Sequence, residues 1–371
     1  MNGSRTEMVL DIGSASVGAC FIAFKNGEKP MLSHVKRTAL RTDSGEALRG
    51  IQALAIEALK KTIEPLSHAL RPDTLEVTLG APWYAAKIQK LVSEAEKPIR
   101  ITESTVAHAL LKQRAAESND SRAERKILES VASHAKVNGY PTALKKMVRG
   151  SKLEMDLYES EADLQFVDEI TTTLKNAFPH TAITFHTFPL TAFAVLRALR
   201  DEQNFTIIDV GGEITDVAFV NNDALSFMGS FPRGGLSFAR AIAGKNSIAD
   251  AMSHMTLFAK GELSEEETAS FSKLFSAEAT SWNDDYTRIM EGAIGATPIP
   301  RATFIIADKE SLLWFEKVFS MRNDSFPVKP ILITPDFFQE YVTLGEDSVY
   351  DSFLSLAALF FTMGQQGLIK G

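Results

Sequence analysis

Two short segments of this chain repeat one pattern, an apolar stretch that ends in Asp-x-Gly and is followed at once by a second apolar stretch. The first segment, Val9–Ser14, reads VLDIGS, and the second, Ile207–Asp216, reads IIDVGGEITD. The returning apolar stretches lead into Asn26-Gly27 and Asn221–Asp223, residue types that tolerate the positive φ of a tight hairpin. Each segment is therefore predicted to form a strand, a glycine loop and a returning strand, and the repetition predicts two similar halves.

Composition sets the limits within which such halves must fold. A chain of 371 residues with 45% apolar residues suffices for two domains with ordinary cores. The net charge of −8 gives no electrostatic case for a nucleic-acid partner. The single cysteine, Cys20, excludes an intramolecular disulfide and suits a reducing compartment. Met1–Met8 lacks the apolar core of a signal peptide, and Phe353–Met363 is too short to span a bilayer. We expect a cytoplasmic protein that reaches the inner face of a membrane only through partners.

Two halves of this kind are expected to face each other across a cleft, with both Asp-x-Gly loops pointing into it. Glycine loops let backbone N–H groups approach phosphate oxygens, and a carboxylate beside them can hold a hydrated Mg²⁺ ion. The repeated pattern therefore predicts a nucleotide site in the cleft.

The two loops resemble the phosphate 1 and phosphate 2 motifs of the superfamily that unites actin, the heat-shock chaperone ATPases and the sugar kinases. Within it, the chain is similar to the bacterial branch that contains FtsA and PilM. Further segments with this similarity, in the family's order, are Gly80–Tyr84 with Glu94–Leu111, Phe188–Leu196, and Phe231–Gly235 with Leu236–Ala243. The resemblance implies an α/β, actin-like (ribonuclease H-like) two-domain ATPase fold.

The same resemblance divides the chain into domains. Residues 1–73 and 161–202 would form the first actin-like domain, and 74–160 an inserted interaction subdomain with the order strand, helix, strand, strand. Residues 203–371 would form the second domain. Its reduced helical lobe, at about 245–300, is expected to hold helices at 248–259, 265–275 and 279–294.

The resemblance also implies a set of ligand-binding residues for ATP and Mg²⁺. Asp11 and Asp209 would hold the metal ion through water molecules. The residues expected to bind the nucleotide are Asp11, Gly13, Ser14, Asp209, Gly211, Gly212, Thr215, Gly234 and Gly235.

Three departures from the family pattern argue against catalysis in this cleft. Glu213 places a carboxylate in the phosphate 2 loop, where it would repel polyphosphate unless a base neutralised it or it turned outward. Ala307-Asp308 replaces the glycine pair of the adenosine motif. Phe188 stands where many relatives have a glutamine that orients the attacking water, and a phenyl ring cannot do this. His186 is the nearest alternative, although a buried structural histidine is favoured over a catalytic one.

Trp83 and Tyr84 are the candidate partner-binding residues. They follow Pro82 in a predicted loop of the inserted subdomain, and exposed aromatic side chains often anchor protein contacts. The alternative is that both rings close the core of that subdomain.

The first functional hypothesis is an FtsA-like scaffold of bacterial cell division that self-associates, recruits a tubulin-like polymer and binds ATP weakly or not at all. The alternative within the family is a PilM-like cytoplasmic platform for type IV pilus assembly, whose partner is the cytoplasmic tail of an inner-membrane pilus protein. A third hypothesis is an active ATPase or kinase of the superfamily. The departures above limit the expected enzymatic activity to weak ATP hydrolysis at most.

Overall fold

The computed structural model of the protein describes residues 6–24, 27–40, 48–116, 124–142, 148–322, 329–345 and 348–367. Residues 1–5 of the polar N-terminal segment and Asn26 of the first predicted turn lie outside these ranges.

The bounds of the elements are as follows. The strands are β1 (Thr6–Ile12), β2 (Ser16–Ala23), β3 (Met31–Ala39), β4 (Thr74–Leu79), β5 (Tyr84–Ile101), β6 (Arg125–Val137), β7 (Tyr140–Pro141), β8 (Val148–Asp163), β9 (Ala182–Thr187), β10 (Phe205–Val210), β11 (Thr215–Asn221), β12 (Ala224–Phe231), β13 (Ala302–Ala307), β14 (Lys329–Leu332) and β15 (Thr343–Leu344). The helices are α1 (Leu48–Ser67), α2 (Glu103–Ala116), α3 (Leu164–Ala177), α4 (Phe188–Leu199), α5 (Gly235–Ala243), α6 (Ile248–Lys260), α7 (Glu265–Ala293), α8 (Lys309–Ser320) and α9 (Ser352–Gln365), with a 3₁₀ helix at Pro335–Glu340.

Two of the three sheets are built around the two Asp-x-Gly hairpins. The first sheet has the order β15-β3-β2-β1-β4-β9, and the second has the order β12-β11-β10-β13-β14. In the first, β1 pairs antiparallel with β2 and parallel with β4; in the second, β10 pairs antiparallel with β11 and parallel with β13. Asn222 and Asp223 adopt the positive φ expected for the second turn. The two predicted hairpins are therefore present, each at the centre of its own sheet.

The third sheet belongs to a segment inserted between β4 and α3, which we call the insert. Its order is β5-β8-β6-β7, and α2 packs on β5, so the chain order is strand, helix and then strands, as expected. The prediction did not include β5, an 18-residue strand that begins at Tyr84 inside the expected loop. Exposed and less exposed residues alternate along much of β5, as in a strand with one face toward solvent.

The helical lobe differs from the prediction in one respect. The two helices expected at 265–275 and 279–294 form the single 29-residue helix α7. Its apolar positions, among them Phe275, Ala279 and Trp282, follow one buried face without interruption. Because residues 276–278 contain no proline or glycine, nothing in the sequence breaks the helix there.

The C-terminal part of the chain returns to the first sheet. Strand β15 pairs with β3, and α9 packs against β1, β2 and α4. Helix α9 is buried from Leu354 to Met363 on all sides, and it shares one apolar core with α4 and with residues of both β1 and β10. Strand β15 and helix α9 therefore pack with the first half, although the sequence analysis placed them in the second domain. No helix in the described ranges is long and apolar enough to cross a membrane.

Candidate functional site

The two Asp-x-Gly loops have the same local geometry and touch each other. The N–H of Gly13 donates to the carbonyl of Ser16, and the N–H of Gly211 donates to that of Ile214, both at 3.0 Å. Across the cleft, the N–H of Glu213 donates to Ser14 Oγ at 3.0 Å. The sequence analysis therefore predicted the meeting of the loops correctly, but they contact each other directly and leave little room between them.

The cavity between the loops has a volume of about 40 Å³. Asp11, Asp209, Phe188, Arg37 and Phe353 are among the residues that line it. Pockets for small organic ligands have volumes of roughly 300 Å³ or more, so this space suits a few water molecules and not a nucleotide.

Arg37 occupies the centre of the cleft from β3. Its Nη1 donates to Asp11 Oδ2 at 2.9 Å and to Ser16 Oγ at 2.8 Å, while Nε and Nη2 donate to both oxygens of Asp351 at 2.6 and 2.9 Å. The aromatic ring of Phe353 lies 5.5 Å from the guanidinium carbon. Asp11 is thus paired with Arg37, and the guanidinium of Arg37 provides the positive charge that Mg²⁺ was expected to bring.

Burial and Arg37 act in opposite directions on the pKa of Asp11. Burial raises this pKa to about 6, although the Arg37 guanidinium acts to lower it. Asp351 is also buried, but Arg37 and two backbone N–H groups outweigh the burial and lower its pKa. The guanidinium therefore pairs most strongly with Asp351 and more weakly with Asp11.

Among the described residues, no cation pairs with Asp209 in this way. Its side chain is buried, and within the described part of the chain its Oδ1 has no hydrogen-bond partner. Burial raises its pKa well above the ordinary value, and the nearby carboxyl groups of Asp216 and Asp11 raise it further. The fold therefore favours the neutral acid form of this group, which is a poor ligand for Mg²⁺.

Trp83 is buried, and Tyr84 is half-buried. The hydroxyl of Tyr84 donates a hydrogen bond to Asp216 on β11, which joins the root of the insert to the second sheet. Trp83 is only 3% exposed, and its ring lies 4.7 Å from that of Phe166. Trp83 is therefore not an exposed partner-binding residue. Its ring packs in the core of the first sheet, with Tyr84 partly buried against the same core, whereas the alternative placed both rings in the core of the inserted subdomain.

The remaining predicted nucleotide-binding residues form bonds within the protein. Gly235 N–H donates to the carbonyl of Gly211 at 2.8 Å, and the next two N–H groups of α5 donate to that of Gly212. A Cβ on Gly234 would lie 2.2 Å from the Gly211 oxygen, so this contact requires glycine. The N-terminal N–H groups of α5, which could otherwise bind a phosphate, are already used. Thr215 Oγ1 donates to a backbone carbonyl at 2.6 Å.

The residues that depart from the family pattern, Glu213, Asp308 and Phe188, each make a contact within the protein. Arg240 donates two hydrogen bonds to Glu213, at 2.6 and 3.0 Å, so a base neutralises this carboxylate. Asp308 caps α8 by accepting from two backbone N–H groups. The ring of Phe188 packs 5.2 Å from that of Phe353 and fills space in the cleft.

The residues present therefore do not fit ATP and Mg²⁺. The cavity is too small, the loop that should hold phosphate is bonded to α5, and Arg37 neutralises the first aspartate. Within the described ranges, no group of three or more His, Cys, Asp or Glu side chains could hold a metal ion. The sequence analysis missed Arg37, Asp351 and Phe353, because they follow no motif and lie far from both loops in the chain.

A larger groove lies away from the cleft, between α1, α3 and the root of the insert. Its volume is about 820 Å³. Four carboxylates and one lysine are the charged groups that line it: Glu124, Asp163, Asp168, Glu169 and Lys60. We call it the acidic groove. No feature of the sequence alone predicted it, since its walls come from distant segments.

No protein-family model and no curated protein matches this sequence. Among solved structures, a PilM-PilN type IV pilus biogenesis complex matches with a TM-score of 0.66 at 13% identity, over 96% of this chain and 98% of that one. The ethanolamine utilization protein EutJ from Carboxydothermus hydrogenoformans matches with a TM-score of 0.45 at 10% identity, over 96% and 90% of the two chains. A Bacteroides thetaiotaomicron protein with an actin-like ATPase fold matches with a TM-score of 0.39 at 7% identity, over 95% and 96%. The chain has the actin-like fold that the two loops predicted.

Proposed function

We propose that this protein is a scaffold that has kept the actin-like fold and lost the use of the nucleotide cleft. The observation that carries the proposal is the closed cleft, in which Arg37, Phe188 and Phe353 fill the space between the two loops. An enzyme of this fold would need that space for its nucleotide. The function is therefore binding, and the surfaces outside the cleft perform it.

The proposed role is a PilM-like cytoplasmic platform for type IV pilus assembly, which binds the cytoplasmic tail of an inner-membrane pilus protein. The likeness in fold to a PilM-PilN complex supports this role over nearly the whole chain. The sequence analysis placed the division role first; because the likeness to a PilM-PilN complex supports the pilus role, we place the division role second.

The acidic groove is the proposed binding site for that tail. Cytoplasmic segments beside membrane spans are enriched in Lys and Arg, so a groove lined by four carboxylates has the complementary charge. The groove also has the volume that an extended segment of a few residues requires.

Calorimetric titration with Mg-ATP tests whether the cleft has lost nucleotide binding. We expect no saturable binding at millimolar concentrations, because the cavity holds only a few water molecules. Saturable binding that is lost in Asp209→Asn would contradict the proposal and restore the ATPase or kinase hypothesis.

A charge reversal tests the groove. Asp168 is exposed on α3, and Asp168→Lys should weaken the binding of a labelled lysine-rich peptide about threefold to tenfold, with an effect that shrinks as salt rises. Glu316→Lys, an exposed reversal on α8 in the second half, is the matched control. A glutamate-rich peptide should not bind. Equal binding by wild type and Asp168→Lys would exclude the groove.

Cross-linking in cells, followed by identification of the co-purified proteins, tests the pilus role. We expect inner-membrane pilus proteins, and fewer of them with Asp168→Lys than with Glu316→Lys. Recovery of a tubulin-like division protein in their place would move the assignment to cell division.

A further inference from the structure

A second polar cluster lies at the root of the insert, outside the cleft, and His186 on β9 is its centre. The Nε2 atom of His186 lies 3.0 Å from Glu76 Oε2 on β4, and its Nδ1 atom lies 3.1 Å from Glu129 Oε1 on β6. The imidazole ring thus joins a carboxylate of the first sheet to a carboxylate of the insert.

Glu129 links the insert to the first sheet through further hydrogen bonds. Its Oε2 accepts from the N–H of Thr187 at 3.1 Å, from the hydroxyl of Thr187 at 2.5 Å and from Ser160 Oγ on β8 at 3.1 Å. Glu129 is only 8% exposed. A buried carboxylate with this many donors holds two strands of the insert and the end of β9 together.

The two carboxylates define the charge of His186. Both ring nitrogens face an acceptor, and both can donate only when the ring carries its second proton. Burial opposes that charge, but the hydrogen bonds to Glu129 and Glu76 outweigh it and raise the pKa of His186 to about 9. The ring is therefore a histidinium at neutral pH.

We propose that His186 is a positioning residue, whose charged ring holds the root of the insert against the first sheet and so sets the width of the acidic groove. The effect on the width of the groove rests on the function proposed for that groove. The contact that holds the insert against the first sheet does not depend on that function.

The strands that carry the clamp also carry one side of the groove. Glu124 immediately precedes β6, which bears Glu129, and Asp163 ends β8, which bears Ser160. The other side is formed by α1 and α3. Without the clamp, the insert side becomes mobile, and a bound peptide must offset the entropic cost of ordering it.

The pH dependence follows from the groups that face His186. They are Glu76 on β4, Glu129 on β6 and, through the hydroxyl of Thr187, Tyr158 on β8, while α9 presents only the uncharged ring of Phe360. Because the folded-state pKa lies above the unfolded value of 6.5, the clamp is complete below that pH and is lost as the pH rises through about 9.

Histidine NMR titration of the wild-type chain, with His186→Gln to assign the signal, tests the charge. We expect a midpoint near 9, whereas a midpoint near the ordinary value of 6.5 would overturn the proposal. Glu129→Gln keeps an acceptor for Thr187 and should lower the midpoint. An unmoved midpoint in that variant would also overturn the proposal.

Amide hydrogen exchange tests the position of the insert without any ligand. In His186→Gln, the N–H of Thr187 and those of β6 should lose protection, and they should do so in the wild type when the pH passes about 9. His68→Gln, at an exposed histidine of α1's C-terminal turn, is the control. Unchanged protection at β6 in His186→Gln would contradict the clamp.

Peptide binding separates the two proposals. If Asp168→Lys weakens binding of the lysine-rich peptide and His186→Gln also weakens it about threefold to tenfold, both stand. If only Asp168→Lys weakens it, the groove is correct and its control by His186 is wrong. If Asp168→Lys has no effect, the proposed function fails, and the exchange and titration data alone judge the clamp.

Discussion

The two Asp-x-Gly hairpins have the same backbone and different chemistry. In the strand register, Gly18 lies opposite Asp11 in the first hairpin, whereas Asp216 lies opposite Asp209 in the second. A Cβ on Gly18 would lie 2.6 Å from Nη2 of Arg37, so glycine leaves the space in which the guanidinium reaches Asp11. In the second hairpin the same position carries another carboxyl group, which bonds to Tyr84.

This difference explains how the cleft closes without a nucleotide. The sequence analysis expected metal and phosphate between the two halves, but an arginine of the first half and two aromatic rings fill that space. A repeated backbone motif therefore does not imply repeated chemistry, because the neighbouring side chains determine what each carboxylate binds.

The largest expected effect comes from removing the cation of the first hairpin. Arg37→Met leaves Asp11 and Asp351 buried without a counter-ion, and we expect a loss of about 3–5 kcal/mol in the free energy of unfolding. Urea denaturation measures it, with Lys36→Met, an exposed change on the same strand, as the control. A loss below about 1 kcal/mol would mean that the ion pairs do not hold the cleft closed.

A smaller effect is expected from adding a side chain at Gly18, the position at which the second hairpin has Asp216. Gly18→Ala pushes a Cβ into the guanidinium of Arg37, at a cost of about 1–3 kcal/mol. Gly80→Ala is the matched control, since its Cβ would meet its nearest neighbour at an ordinary 3.6 Å. If Gly18→Ala also lowers the stability of Arg37→Met by the full amount, the two residues are not coupled and the explanation above is wrong.

The second hairpin can be tested through Tyr84→Phe, which removes the hydroxyl bonded to Asp216. We expect a loss of about 1–2 kcal/mol, measured by urea denaturation against Tyr140→Phe, whose side chain is 76% exposed. Burial raises the pKa of Asp216 to about 6, and the bond to Tyr84 acts in the opposite direction. Because this folded-state pKa is raised, stability falls as the pH rises from about 4 through 6, and the fall should be steeper in the variant. Equal pH profiles would contradict this account.

The smallest effect gives the sharpest comparison, since one substitution should act to different extents in the two hairpins. Asp11→Asn removes a carboxyl group whose pKa burial raises to about 6 even beside Arg37, so its gain in stability at about pH 8 should be smaller than that of Asp209→Asn. Asp209→Asn removes a buried ionisable group whose charged form the fold disfavours, and it should stabilise the protein at about pH 8. Well below pH 3.8, where the group is protonated in both folded and unfolded chains, this gain should vanish. Destabilisation by Asp209→Asn at the higher pH would show that its carboxylate is needed in the ionised form.

Local patterns were enough to predict much of the architecture. The alternation of apolar strands, Asp-x-Gly loops and turn residues predicted both hairpins, and the segments between them predicted the actin-like fold. Helix α7 and strand β5 were predicted less well. Strand β5 was not predicted, and α7 was predicted as two helices although no proline or glycine interrupts it at 276–278.

The candidate site was predicted in its location and not in its chemistry. Asp11 and Asp209 line one cavity, as expected, but the residues that fill it come from β3, α4 and the first turn of α9. Contacts between Arg37 and Asp351 join residues 314 positions apart in the chain, and no local pattern encodes such a pairing.

The sequence alone determined the backbone of this protein, because strands, turns and glycine loops follow from short-range periodicity and φ preferences. Only the tertiary structure decided what the protein can bind. Whether a carboxylate holds a metal ion, an arginine or a tyrosine depends on burial and on the charges that distant segments bring within hydrogen-bond distance. The acidic groove and the contacts of His186 also depend on the tertiary structure, because their residues come together only when the insert packs on the first sheet.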